Sequence, residues 1–209
     1  MPREKPSPEP SFGFLSTLES PEYGYFGGYL IVSPVGRPLE FHCTSPVRPS
    51  RAQEILYGPT LQPYLFGEKI SGALLQAAKL PPRLVLTDAP AMLSARSQAS
   101  SLMALVLVRA GVSATTATEE QGDETSDIVA FASSADVSRL RHFDGQFEAG
   151  GYELFLPIGF ETEKHAVAEL VAQLSQHVDL AEPFGRIHEA IREAQRIGGR
   201  TVEAHGQAA

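Results

Sequence analysis

Tryptophan is missing from the 209 residues, and cysteine occurs once. A single thiol forms no intrachain disulfide and no cysteine-based zinc site, which suits a reducing compartment and predicts a cytoplasmic protein. Basic residues are also short, since 17 Lys and Arg against 25 Asp and Glu leave a net charge of −8. Phosphate backbones are held by clustered Lys and Arg, so this balance predicts no general nucleic-acid binding and no attachment to a membrane surface. No run reaches the roughly 18 apolar residues of a membrane span. The opening MPREKPSPEP has no apolar centre, so it reads as a tail and not as a signal peptide.

Catalytic signatures are missing as well. There is no G-x-x-x-x-G-K-S/T or G-x-G-x-x-G phosphate loop, no G-x-S-x-G elbow and no H-E-x-x-H helix. The segment from His42 to Ser50 imitates a cysteine phosphatase loop, but Arg48 follows Cys43 after four residues, where five are needed. Pro49 holds the place the arginine should take. Pro46 and Pro49 carry no N–H to offer a phosphate, so that chemistry is excluded and Cys43 reads as a small core residue. Asp123, Glu124 and Asp127 lack the alternation and glycine of a calcium loop. None of these patterns calls for a cofactor.

What is present is an ordinary globular composition, 43% hydrophobic and 20% charged. Residues 1–11 and 199–209 read as disordered tails around one domain, 12–198, with a mobile acidic loop at 113–127. Tyr29–Val32 and Leu39–Cys43 form two strands joined by a turn that uses Pro34 and Gly36, which predicts a β-hairpin. Gly27-Gly28 marks a bulge or a close backbone approach. Alternation places Leu39, Phe41 and Cys43 toward the core and Glu40 and His42 on the other face, either solvated or lining a pocket. Ser50 and Gln53 form a capping pair for a helix at 51–57, and a longer helix is expected over 61–79.

Arg83–Asp88 reads as a strand buried on both faces, with Asp88 either capping the next helix or standing at a site. Further strands are expected near 104–108, 128–132 and 150–158, and two amphipathic helices near 162–177 and 180–197. The pair Gly198-Gly199 is a stop signal for the second of these. The fold class is therefore mixed α/β, with an N-terminal hairpin, at least one buried parallel strand, and covering helices. A profilin-like or GAF-like arrangement would accommodate the same pattern.

Two functions are compatible with these residues. One is a non-catalytic module that binds a protein partner, a second copy of itself or a small ligand. It would use the aromatic segment 57–66, with Tyr57, Tyr64 and Phe66 as contacts and Arg139, Arg141 and His142 as a local anion site. The other is metal-assisted hydrolysis by a nuclease or phosphoesterase, in which Glu40, His42 and Asp88 meet at the sheet edge. The hairpin–helix–strand order resembles an RNase H-like layout. That resemblance implies a carboxylate on the first strand, and Tyr29–Val32 supplies none.

Overall fold

The computed structural model describes residues 10–98, 104–110 and 143–206. The expected strand at 128–132, the acidic loop and the cluster Arg139, Arg141 and His142 lie outside these residues.

Within them the fold is a mixed α/β sandwich around a sheet of seven strands. In chain order these are β1 (Phe12–Ser20), β2 (Gly24–Val32), β3 (Pro38–Cys43), β4 (Leu84–Thr87), β5 (Ala104–Ala110), β6 (Phe143–Ala149) and β7 (Tyr152–Pro157). Across the sheet they run β3-β2-β1-β4-β5-β7-β6. The first three strands form an antiparallel meander, β4 lies parallel to β1 and to β5, and β7 returns antiparallel to β5.

The expected hairpin is present as β2–β3. Gly36 at its turn has φ of 77°, and its N–H donates to the Ser33 carbonyl at 2.9 Å. What the sequence did not signal is β1, which lies between this hairpin and the buried strand β4. Its centre, Ser16-Thr17, breaks the apolar pattern of a strand that is covered on both faces.

Among the described residues four α-helices follow the meander: α1 (Arg51–Tyr57), α2 (Gly72–Ala77), α3 (Lys164–Leu174) and α4 (Glu182–Gly206). The capping box of α1 forms as expected, with Gln53 N–H donating to Ser50 Oγ and Ser50 N–H to the Gln53 side chain. The helix expected over 61–79 is two pieces. A wide-turned π-helical segment, Pro63–Ser71, runs into α2, and Ser71 Oγ donates to the Phe66 carbonyl at 2.6 Å within it. A 3-10 stretch, Pro90–Gln98, follows β4. The helix expected near 180–197 continues to Gly206, so Gly198-Gly199 does not end it.

Two apolar cores flank the sheet. One gathers Phe12, Phe14, Leu30 and Val106 under Val171 of α3 and Phe184 and Ile187 of α4. The other gathers Leu15, Tyr29, Val85 and Leu105 under Leu65 and Ile70 of the π-helical segment and Met92 of the 3-10 stretch. The adjacent glycines of β2 point to opposite faces and let both layers close. A Cβ at Gly27 would fall 2.1 Å from Cγ2 of Ile70, and one at Gly28 2.2 Å from Cγ2 of Ile187. Close approach, not a bulge, is why they are glycine.

The outer hairpin strand faces the reverse of what alternation predicted. Glu40 and His42 are half-buried toward the α2 side, while Leu39, Phe41 and Cys43 are exposed. Strand β3 is an edge, and α4 packs over β1 and β2, which leaves the Leu39–Cys43 face uncovered. Cys43 is therefore an exposed thiol and not a core residue.

Candidate functional site

The parallel pair β1 and β4 is where the chain changes direction. From β1 it continues to β2 on one side, and from β4 to β5 on the other. In open α/β sheets the crevice beyond the carboxyl ends of such strands is where ligands bind. Three polar side chains meet there. Ser16 Oγ of β1 donates to Asp88 Oδ2 just past β4 at 2.9 Å. The same hydroxyl is 2.8 Å from Nε2 of His188 on α4. Ser16 is fully buried, Asp88 is buried, and His188 is half-buried.

Each residue has a structural reason to be there. Ser16 shares a face with Phe12 and Phe14 because side chains alternate along a strand. It lies directly across from Gly28. With no side chain at Gly28, Ile187 presses onto the sheet and brings the next helical residue, His188, to the hydroxyl. Asp88 follows Thr87, whose Oγ1 accepts the Ala89 N–H at 3.2 Å. Thr87 thus makes the turn into the 3-10 stretch. The capping role open to Asp88 is not taken, and its carboxyl turns back to Ser16.

Burial shifts both ionisable groups. It raises the Asp88 carboxyl from 3.8 to about 7, against the opposing effect of the Ser16 hydrogen bond. Asp88 Oδ1 is buried and meets no hydrogen-bonding side chain among the described residues. Burial also lowers the His188 pKa, and the nearby Arg192 charge lowers it further, while a hydrogen bond to the Thr17 backbone acts in the opposite direction. A hydroxyl donates one proton. With Asp88 ionised, Ser16 donates to it and accepts from imidazole; with Asp88 protonated, the chain of hydrogens can reverse and Ser16 donates to Nε2. The three groups can pass a proton between a buried carboxyl and a half-exposed ring.

The residues expected to share a metal are not together. Glu40 pairs with Ile31, Ile31 with Gly13 and Gly13 with Val85. Glu40 is thus about 14 Å across the sheet from β4, and Asp88 lies about 10 Å further along it. The two carboxylates cannot ligate one ion. Glu40 instead lies 2.6 Å from His42 Nε2 and accepts the N–H groups of Lys79 and Leu80 at 2.9 and 3.0 Å. The His42 bond, joined by these two N–H groups, holds its pKa below the usual carboxylate range. Among the described residues no three of His, Cys, Asp and Glu gather as a metal site.

The aromatic segment divides. Leu65 and Phe66 are core, with Phe66 edge-on to Tyr25 at 5.0 Å between centroids. Tyr57 and Tyr64 stack at 4.4 Å near the surface and are half-buried. Beside them Ile55 is 67% and Leu56 81% exposed, and α1 buries none of its residues. Ser16 and His188 were missed by sequence reasoning because the site is non-local. Ser16 is 72 residues from Asp88 and 172 from His188, and no motif spans such gaps.

No protein-family model and no curated protein matches this sequence. Among solved structures the chain is similar to Ciona intestinalis endonuclease V. One such structure is of a variant with a 23mer DNA containing an inosine followed by a ribo-adenosine. It has a TM-score of 0.43 and 13% identity, over 90% of this chain and 86% of that one. Another, with a 24mer DNA of the same kind, has a TM-score of 0.43 and 14% identity, over 90% and 87%. Both were solved holding DNA, and against them the expectation of no nucleic-acid binding, drawn from net charge, is withdrawn. Net charge is a sum over the whole surface and does not report the character of one face. A likeness of this degree assigns no residue and no substrate to this chain.

Proposed function

We propose that the domain is a hydrolase acting on phosphoesters, with His188 as the proton-exchanging group and Asp88 as its proton store through Ser16. The observation that carries this reading is the hydrogen-bonded chain Asp88–Ser16–His188 at the carboxyl ends of β1 and β4. Proton transfer is most effective when the group titrates near working pH, and burial brings the Asp88 carboxyl to about 7. In the proposed step, the ring gives up its bond to the Thr17 backbone and takes a proton from the attacking water on the nitrogen so freed, while its Nε2 proton passes to Ser16 Oγ and the Ser16 proton to an ionised Asp88. The reverse transfers deliver a proton to the leaving oxygen.

Arg192, one helical turn beyond His188, places a positive charge beside the ring, where it would meet a phosphoryl oxygen. Asp88 is the one carboxylate in this cluster among the described residues, so we assign it proton transfer and not the binding of a cation.

The test is turnover of a panel of small phosphomonoesters, phosphodiesters and single- and double-stranded nucleic acids, with magnesium or manganese and with a chelator. The reading expects hydrolysis of at least one member that survives chelation and falls at least about 100-fold in Asp88→Asn and in His188→Gln. Unchanged rates in both variants, no hydrolysis by the wild type, or a strict metal requirement contradicts it.

A second reading concerns the exposed patch Ile55, Leu56, Tyr57 and Tyr64. A helix that buries none of its own residues yet shows two large aliphatic side chains fits a docking surface for a protein partner or a second copy. Replacing Tyr64 with Ala tests it. Lost association with an intact fold supports the surface role, and lost folding assigns the residue to the core. The exposed free thiol of Cys43 fits the cytoplasm, and we retain that placement as part of the proposal.

A further inference from the structure

Among the described residues the two edges of the sheet, β3 and β6, are finished differently. At β6 the ladder shifts register beside Gly145, Glu148 is exposed, and α3 packs against the strand. A bend, a charge and a covering helix are the usual guards of an edge. At β3 the guards, Pro38 and a register shift against Val32, stand only at its start. From Glu40 to Cys43 the strand keeps an unbroken register with β2 and contains no proline and no lysine. Thr44 N–H donates to the Gly27 carbonyl at 3.0 Å. Ladder bonds alternate, so His42 and Glu40 bond to β2, while Phe41 and Cys43 turn their N–H and C=O groups outward. On the uncovered face Leu39 is 47% and Phe41 39% exposed, and Cys43 is exposed beside them.

Outward main-chain groups beside an apolar row fit one more strand. The charges select which strand. Antiparallel pairing about a two-fold axis at Phe41 sets Glu40 opposite His42 of a second copy, and His42 opposite Glu40 of that copy. Within one chain these two groups are already 2.6 Å apart. The four groups therefore alternate acid and base, and no like charges stand directly opposed. On the other face the same register sets Phe41 against Phe41 and Leu39 against Cys43. An axis at His42 would oppose histidine to histidine, and an axis at Leu39 would oppose Glu40 to Pro38. We propose that β3 is a dimerisation edge, to which a second copy of this chain adds its own β3, antiparallel and with Phe41 on the two-fold axis. The interface is small, so the dimer is weak and reversible. It is independent of the activity proposed for Ser16, Asp88 and His188.

The test is analytical ultracentrifugation of the full chain from about 10 μM to about 1 mM, the range in which an interface below roughly 1,200 Å² should associate. The mass should rise from that of one chain toward that of two. Phe41→Arg opposes like charges on the axis and, at an exposed position, should keep the wild-type circular dichroism and stay a single chain throughout. Cross-linking reads the register. The two native Cys43 thiols would lie four residues, about 14 Å, apart along the paired strands, too far for a disulfide. In the double variant Phe41→Cys, Cys43→Ser the thiols would meet on the axis at a Cα separation of about 5.5 Å. Mild oxidation should therefore link the double variant and leave the wild type unlinked, although each carries one thiol per chain. A wild type that stays single at about 1 mM, a dimer that persists in folded Phe41→Arg, or equal cross-linking of the two single-thiol proteins each overturns the proposal.

Discussion

Gly28 of β2 lies directly across from Ser16 of β1, and the space its side chain would fill is held by Ile187 of α4. That contact sets the height of the helix above the sheet, and so the 2.8 Å separation of Ser16 and His188.

Gly28→Ala places a Cβ 2.2 Å from Cγ2 of Ile187 and must lift α4. Overpacking of this kind costs about 1–3 kcal/mol, and here it should also separate His188 from Ser16. Gly27→Ala makes the same clash with Ile70 on the other face, where a Cβ would fall 2.1 Å away. Denaturant melts should show both variants destabilised, with the His188 pKa changed only in Gly28→Ala. An equal change in both would show that the Gly28 contact does not position the ring.

Asp88 should give stability a specific pH dependence. Its carboxyl is raised from 3.8 to about 7, so the folded chain holds that proton more tightly than the unfolded chain. The associated stability is fully present below about pH 4 and is lost as pH rises through 7, an effect on the order of 4 kcal/mol at most. In Asp88→Asn the loss should disappear, leaving the variant more stable than wild type at pH 8. Parallel stability profiles for the two proteins would contradict the burial argument.

His188 acts in the other direction. Its pKa is lowered, so its contribution is present above the unfolded value near 6.5 and is lost as pH falls through the folded one. Hydrolysis should therefore decline on the acid side twice, first as Asp88 takes up its proton near 7 and again as the ring protonates, and His188→Gln should remove only the second decline. A second decline that persists in the variant would assign it to another group.

Glu40→Ala removes the acceptor for the Lys79 and Leu80 N–H groups and the partner of His42. It should cost about 1 kcal/mol of stability and leave turnover unchanged, because Glu40 is three strands from Asp88. A large loss of turnover with intact stability would restore it to the site.

How much of this was legible in the sequence depended on whether a signal was local. The run Arg83–Asp88 announces a strand covered on both faces, and the Ser50–Gln53 pair announces the start of α1, because each signal sits within one element. Strand β1 stayed hidden because Ser16 and Thr17 interrupt its apolar pattern, and that interruption is the site itself. Edge strand β6 was missed since the register shift at Gly145 puts the spacing of Phe143, Phe147 and Ala149 out of simple alternation. Alternation in β3 correctly separated Glu40 and His42 from Leu39 and Phe41. It could not tell which face the helices cover, since that depends on how far α4 reaches across the sheet. The positions of Ser16 and His188 follow from strand order, which no local pattern encodes.

The most direct measurement is a carboxyl-carbon NMR titration of Asp88, assigned by its loss in Asp88→Asn. The account predicts a midpoint of about 7 that moves when Ser16 is replaced by Ala, with a linked shift at His188. A midpoint near the ordinary 3.8, unmoved by Ser16→Ala, would contradict it.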